Sequence, residues 1–289
     1  MARFRSRHPV AAALVPVGLV LAIVATMVVI KLAGSPSTPG SAGASPLPAA
    51  GSSASSNTGT VALSASVLSA LQVEPSVLDA VGQPSSVSPP SRVAGTSIGR
   101  GVDGKPLVTY VGAEYCPYCA AERWSLAVAL SRFGTFSGLS GTHSAGNDVY
   151  PNTQTLSFYG SHYSSPYVDF QSVELASNQA AGGSYQTLQT PTAQENSLVS
   201  AYDSNGSIPF LDIANRYVVT GASFSPQLLQ GLTRSEIAAQ LSNPKSAVAQ
   251  AIDGTANEIT AAIVAVTGNQ PTSIASSPTI ASIAKRLGA

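Results

Sequence analysis

Charged residues and cysteines are scarce in this chain of 289 residues. Only 10% of its residues are charged, with 14 basic and 14 acidic side chains, whereas globular proteins carry about 25%. Because the chain has neither net positive charge nor a basic stripe, it lacks the electrostatic footprint of a nucleic-acid-binding protein. Two cysteines are too few for a disulfide-stapled scaffold or a four-cysteine zinc site. The composition therefore disfavours these classes.

The longest uncharged apolar run lies near the N-terminus. Val10 to Ile30 contains no charged residue, and three arginines precede it at positions 3, 5 and 7. A helix of this length reaches roughly 30 Å, the thickness of the hydrocarbon core of a bilayer. The arginines predict a single-pass cell-membrane protein with a cytoplasmic N-terminus and an extracytoplasmic C-terminal domain. A cleaved signal peptide is the alternative, although its apolar region is usually shorter, about 7–15 residues.

Changes in composition divide the chain into six segments. Residues 34–60 are rich in Ser, Pro, Ala and Gly, a composition that predicts a flexible tether. Hydrophobic residues recur at helical spacing within residues 61–98 and again within residues 269–289. The predicted segments are a cytoplasmic stub (1–9), a transmembrane anchor (10–33), the linker (34–60), a helical lead-in and connection (61–98), the main domain (99–268) and a C-terminal helical tail (269–289).

The two cysteines stand between a predicted strand and a predicted helix. Residues 105–112 form a β-branched and aromatic run, and apolar residues recur at helical intervals after Pro117. Cys116 would then lie at the helix N-terminus, where the helix dipole and free backbone N–H groups stabilise a thiolate. Cys119 follows one turn later, within reach of a mixed disulfide formed on Cys116. The pattern predicts a nucleophile, Cys116, and a resolving thiol, Cys119.

This strand, C-P-Y-C and helix order resembles the thioredoxin superfamily, and the pair Pro117–Tyr118 resembles that of glutaredoxins. The strings 112–124 and 129–134 are similar to a family of uncharacterised prokaryotic membrane-anchored thioredoxin-like proteins, with a likeness extending over roughly Leu107 to Gly268. The resemblance implies an α/β, thioredoxin-like three-layer domain with a central mixed sheet flanked by helices. It also implies redox chemistry, with Pro117 and Tyr118 contacting the substrate.

A second likeness concerns Pro209, which begins a predicted hairpin strand. Thioredoxin-like folds place a cis-proline there, facing the cysteines, which implies that the Ile208 backbone binds an extended substrate and that Pro209 shields the thiols. The alternative is a trans proline that starts an edge strand, where proline is tolerated. The Gly-Gly pair with which glutaredoxins hold glutathione is replaced here by Gly221–Ala222, which argues against glutathione binding.

Several ionisable residues near the motif have two interpretations each. Glu114 is a candidate to relay the proton of the resolving thiol, or it is a solvated loop carboxylate. Glu122 and Arg123 follow the motif by one turn and are candidates to pair with surrounding loops. Arg123 either favours the thiolate or forms an ordinary surface ion pair. Asp212 is a weaker relay candidate whose strand position would also suit a solvent-facing side chain.

Four tyrosines form a further candidate feature, an aromatic lip near the cysteines that would contact unfolded polypeptide. The alternative is ordinary strand packing. The tyrosines stand at positions 150, 159, 163 and 167.

Together these features predict an extracytoplasmic thiol–disulfide oxidoreductase that acts on cysteine-containing exported proteins. An oxidising exterior favours oxidation or isomerisation over reduction. With one cysteine pair and one span, the chain requires a redox partner to reset the dithiol. The alternative is a thioredoxin-like binding or adaptor module with a structural disulfide. No cofactor is expected, and no metal, because His143 and His162 are too far apart in sequence to complete a zinc site.

Overall fold

The computed structural model describes residues 59–94 and 97–288. The predicted stub, the anchor and nearly all of the linker lie outside the described residues. Within the described ranges, no helix combines the length and apolar character needed to cross a bilayer. These residues belong to one compact unit.

The described residues form twelve strands, eight α-helices and a 3₁₀ helix at Pro226–Leu229. The strands are β1 (Val61–Ala62), β2 (Ser91–Arg92), β3 (Leu107–Gly112), β4 (Thr135–Ser137), β5 (Ser140–His143), β6 (Gln154–Ser157), β7 (His162–Ser164), β8 (Asp169–Glu174), β9 (Ala176–Ala181), β10 (Ser184–Thr187), β11 (Phe210–Ile213) and β12 (Tyr217–Thr220). The α-helices are α1 (Ala65–Ala70), α2 (Pro75–Val81), α3 (Pro117–Ser131), α4 (Ala193–Tyr202), α5 (Arg234–Gln240), α6 (Ala247–Val266), α7 (Thr272–Ala275) and α8 (Pro278–Arg286).

A five-stranded mixed sheet is the centre of the fold. Its strand order is β2-β12-β11-β3-β8. The β3–β8 pair is parallel, and the other neighbours are antiparallel. The chain passes from β3 to β8 through α3 and four short strands. Of these, β4 pairs with β7, and β5 and β6 form a three-stranded sheet with β1.

Helices cover both faces of this sheet. Successive side chains of a strand point to opposite faces, so Val108 and Tyr110 of β3 join the larger core, to which α3 and α6 contribute, while Val111 joins the smaller core. In the smaller core, Leu198 and Val199 of α4 pack with Val111. The predicted α/β architecture, a central mixed sheet flanked by helices, is confirmed.

Helices before and after the sheet are integrated into the same unit. The sequence predicts helices at about 233–241, 246–267 and 279–287, and these correspond to α5, α6 and α8. Nearly every residue of α6 is buried, and α6 packs along α3. On α8, Ile280 and Ile283 are fully buried, and α8 packs against α6. The C-terminal tail is therefore part of the core structure.

Candidate functional site

Helix α3 begins directly after the first cysteine of the motif. Cys116 is its N-cap residue, and the Cys116 sulfur accepts a hydrogen bond from the Cys119 backbone N–H at 3.3 Å. Pro117 occupies the first turn, where its missing N–H removes no helical hydrogen bond. Cys116 thus lies at the predicted position, with one of the free N–H groups of the helix directed at its sulfur.

The two thiols have different environments. Both cysteines are unpaired thiols; Cys116 is 6% exposed and Cys119 is fully buried. A hydrogen bond with Cys119 is the largest influence on the pKa of Cys116, which is lowered although burial opposes the shift, and the Arg123 charge acts in the same direction. Burial, followed by the interaction with Cys116, raises the pKa of Cys119 well above its usual range. Cys116 therefore becomes a thiolate first.

The Ile208–Pro209 segment lies opposite the cysteines. The Ile208–Pro209 peptide bond is cis, as the likeness to thioredoxin-like hairpins implies, and the Ile208 carbonyl is 3.9 Å from the Cys116 sulfur. Pairing of β11 with β3 aligns Phe210 with Val111. This register brings the residues before β11 to the end of β3 where the cysteine loop begins.

Glu114 is not a solvated loop residue. Its carboxylate is fully buried and accepts hydrogen bonds from the Ser157 hydroxyl at 2.5 Å and the Thr142 hydroxyl at 3.3 Å. Burial raises its pKa, against the opposing effects of Ser157 and Arg123. The solvent-exposed interpretation is therefore wrong, and a buried carboxylate of raised pKa lies two residues before Cys116.

Arg123 does not form a surface ion pair, and Glu122 pairs with a loop residue. Arg123 is fully buried and pairs with the buried Glu174. Glu122 accepts hydrogen bonds from the Ser223 backbone N–H at 2.8 Å and the Ser223 hydroxyl at 3.1 Å. Burial raises the pKa of Glu122 to about 7. The surface interpretation of Arg123 is wrong because its side chain belongs to a helix that is buried almost all round.

Asp212 is also buried, at 2% exposure, which contradicts the solvent-facing interpretation. Its carboxylate accepts hydrogen bonds from the Asn215 backbone N–H at 3.0 and 3.2 Å, and burial raises its pKa to about 6. These hydrogen bonds support the turn after β11. They do not connect Asp212 to the thiols.

The aromatic surface near the cysteines differs from the predicted lip. Tyr118 is 41% exposed and contacts Tyr150 edge to face, with ring centroids 6.0 Å apart. Tyr163 packs instead with Phe136 and Phe170.

Sequence reasoning missed the second aromatic contact, in which Tyr115 stacks on Tyr185 with centroids 4.4 Å apart. Tyr185 lies on β10, a strand without a recognisable hydrophobic pattern, so the sequence contained no signal for it. The aromatic residues beside the motif are therefore Tyr115, Tyr118, Tyr150 and Tyr185.

Within residues 59–94 and 97–288, no three His, Cys, Asp or Glu side chains come together as a potential metal site.

A family model described as a domain of unknown function, DUF929, matches residues 100–265. The match includes both cysteines, Glu114, Arg123, Glu174 and Pro209. No curated protein and no solved structure matches the chain.

Proposed function

Because the chain belongs to the DUF929 family, whose description assigns no activity, we propose from its site that it is a thiol–disulfide oxidoreductase. Its substrates are cysteine-containing exported proteins. The fold is thioredoxin-like, and the strand order β12-β11-β3-β8 with helices on both faces supports this assignment.

One observation carries the proposal. The Cys116 sulfur caps α3, accepts the Cys119 N–H at 3.3 Å and lies 3.9 Å from the carbonyl that precedes cis-Pro209. Hydrogen bonds to a thiolate and the N-terminal end of a helix dipole favour the charged form. A second thiol one turn away provides the resolving group.

The reaction consists of two exchanges. In the reducing direction, the Cys116 thiolate attacks a substrate disulfide, releases one substrate thiolate and forms a mixed disulfide. Cys119 transfers its proton to the Glu114 carboxylate and attacks the Cys116 sulfur, so that the bond between Cys116 and the substrate breaks. The substrate leaves as a thiolate and is protonated, while the protein retains the Cys116–Cys119 disulfide. The reverse sequence oxidises a substrate dithiol.

The substrate binds to the surface around Cys116. The backbone of Ile208 pairs with an extended substrate segment, and Pro209 shields the thiols. Pro117 and the exposed ring of Tyr118 contribute the opposite side of the binding surface.

The proposed setting is the extracytoplasmic side of the cell membrane, with residues 10–33 as a single-pass anchor. Oxidation or isomerisation is favoured there. A separate redox partner resets the dithiol after each turnover, because the described residues contain only this cysteine pair.

Trapping in cells tests the proposal. Cys119→Ser removes the resolving thiol, so the full-length variant should accumulate mixed disulfides, seen as reductant-sensitive adducts on non-reducing gels. Cys116→Ser is the matched control and should form none. If Cys119→Ser is folded and traps nothing, the dithiol is not catalytic. A reduction potential of the wild-type Cys116–Cys119 disulfide below about −300 mV would then favour the adaptor alternative.

A further inference from the structure

Arg123 lies one helical turn after Cys119, on the same face of α3. Its side chain is fully buried, and it donates to Glu174 from Nε at 2.8 Å and from Nη2 at 2.6 Å. Its remaining nitrogen, Nη1, is buried and has no hydrogen-bond partner among the described residues. A buried cation with a free donor group therefore lies behind the resolving thiol.

Tyr110 adds a second free donor to the same region. Its hydroxyl is buried and likewise has no hydrogen-bond partner in the described part of the chain. The Arg123 guanidinium lies 5.8 Å from the centre of the Tyr110 ring. A Cβ on Gly112 would be only 2.2 Å from the Tyr110 hydroxyl, so the glycine leaves room for it.

The central sheet fixes this arrangement. Gly112 of β3 pairs with Glu174 of β8, which places the carboxylate level with the end of β3 that continues into the cysteine loop. The two donors from Arg123 to Glu174 form a bidentate contact, which fixes the guanidinium in orientation as well as position. The charge is consequently held in one place relative to the thiols.

We propose that Arg123 is a positioning residue for the resolving thiol, and that its free Nη1 group and the Tyr110 hydroxyl stabilise Cys119 as a thiolate. This inference rests on the proposed function. In the reducing direction the Cys119 thiolate is the attacking group, formed when its proton passes to Glu114. In the oxidising direction it is the leaving group of the Cys116–Cys119 disulfide, displaced by a substrate thiolate. Glu174 limits the effect by partly neutralising the cation.

The charged and titratable groups around the dithiol are consistent with this role. They come from β3 (Tyr110), the following loop (Glu114 and Tyr115), α3 (Arg123) and β8 (Glu174). Burial raises the pKa of Cys119, and the Arg123 charge opposes that effect. The same charge lowers the pKa of Cys116. Arg123 is therefore the cation that acts on both thiols.

The test follows the two thiols separately with dithiobis-nitrobenzoate under single-turnover conditions. Attack by Cys116 releases the first thionitrobenzoate, and attack by Cys119 on the resulting mixed disulfide releases the second. Arg123→Met should move the midpoint of the second phase to higher pH, and Glu174→Gln should move it to lower pH. A displacement of one pH unit changes the rate about tenfold below the midpoint. Tyr110→Phe should shift it in the direction of Arg123→Met.

Opposite shifts of the pH midpoint in Arg123→Met and Glu174→Gln distinguish this role from a structural one. If the ion pair only held the fold together, loss of either member would loosen the fold in the same way, and the two variants would not differ in direction. Arg286 and Glu258 form the matched control pair, between α8 and α6, and Arg286→Met and Glu258→Gln should leave the second phase unchanged. If Arg123→Met does not fold, Glu174→Gln and Tyr110→Phe still decide the question.

Coincident pH profiles for Glu174→Gln, Tyr110→Phe and the wild type would overturn this inference while leaving the oxidoreductase intact. A wild-type protein that releases no thionitrobenzoate from Cys116 would instead contradict the proposed function.

Discussion

Four acidic or basic side chains of the cysteine loop, α3 and β8 are almost completely shielded from water, and each has a polar partner. Burial of a charge is costly unless it is paired or hydrogen-bonded. Arg123 and Glu174 satisfy this condition through their bidentate contact. Glu114 and Glu122 satisfy it through hydroxyl and backbone donors. Of the two carboxylates, Glu114 lies two residues before Cys116, and it is the one that we propose as the proton acceptor.

Replacement of Glu114 tests proton transfer at this position. Glu114→Gln keeps the shape of the side chain but cannot accept the Cys119 proton, so the second thionitrobenzoate phase should slow by about 100-fold. The first phase should change far less, because Cys116 is already the more acidic thiol. The measurement is the rate of each phase as a function of pH.

Ser157→Ala is the control for Glu114→Gln. It removes the 2.5 Å hydrogen bond to the carboxylate but leaves the carboxylate itself, and so it should move the pH profile of the second phase without abolishing the phase. Equal second-phase rates in Glu114→Gln and the wild type would show that another group accepts the proton.

At the scale of secondary structure, α3 connects the site to the core. Cys116 and Cys119 occupy its N-cap position and its first turn, and its remaining length is buried, with α6 and β6 packed against it. The rigidity of the cysteine pair therefore depends on helices far along the chain. One of these is α8, which packs on α6 and contributes Ile280 and Ile283 to the core.

A truncation on α8 measures this dependence. Ile283 is fully buried, so Ile283→Ala should lower the free energy of unfolding by about 2–5 kcal/mol, through lost burial and the cavity left behind. The measurement is chemical denaturation at neutral pH. Leu68→Ala, at a site 41% exposed, should cost under about 1 kcal/mol. If Ile283→Ala and Leu68→Ala lowered the free energy of unfolding by similar amounts, the packing of Ile283 in the core would not contribute the expected stability.

At the scale of the whole molecule, buried carboxyl groups make stability depend on pH. Burial raises the pKa of Asp253 on α6 to about 8, and neither of its oxygens has a hydrogen-bond partner among the described residues. The folded protein therefore binds this proton more tightly than the unfolded chain does. Such a group contributes stability below its unfolded pKa, about 3.9, and that contribution is lost as the pH rises through the folded pKa.

Asp253→Asn should remove this decrease in stability with rising pH, because the amide does not ionise. We expect little change below about pH 4, where the Asp253 carboxyl is protonated in both the folded and the unfolded state, and a gain that grows as the pH rises and is on the order of several kcal/mol above pH 8. The measurement is the free energy of unfolding at several pH values. The wild type, measured at the same pH values, is the reference. A variant with the wild-type slope would show that Asp253 does not control it.

Much of the architecture followed from local sequence patterns. The strand before Cys116, the helix after it, the hairpin at Pro209 and the helices of the C-terminal part all appear close to their predicted positions. Periodic apolar residues, proline and helix-capping residues act over a few neighbouring positions, and sequence alone reveals them. The short strands β4, β5, β9 and β10 have weak alternation and were not predicted.

By itself, the sequence determined which residues form the dithiol, because only two cysteines exist and their spacing places them one helical turn apart. It did not determine their electrostatic surroundings. Glu114 and Arg123 were equally consistent with the surface, and neither the pairing of Arg123 with Glu174 nor the stacking of Tyr115 on Tyr185 had a local signal. Only the tertiary structure decided these contacts, since they join residues distant in sequence whose meeting depends on strand register and on which faces become buried.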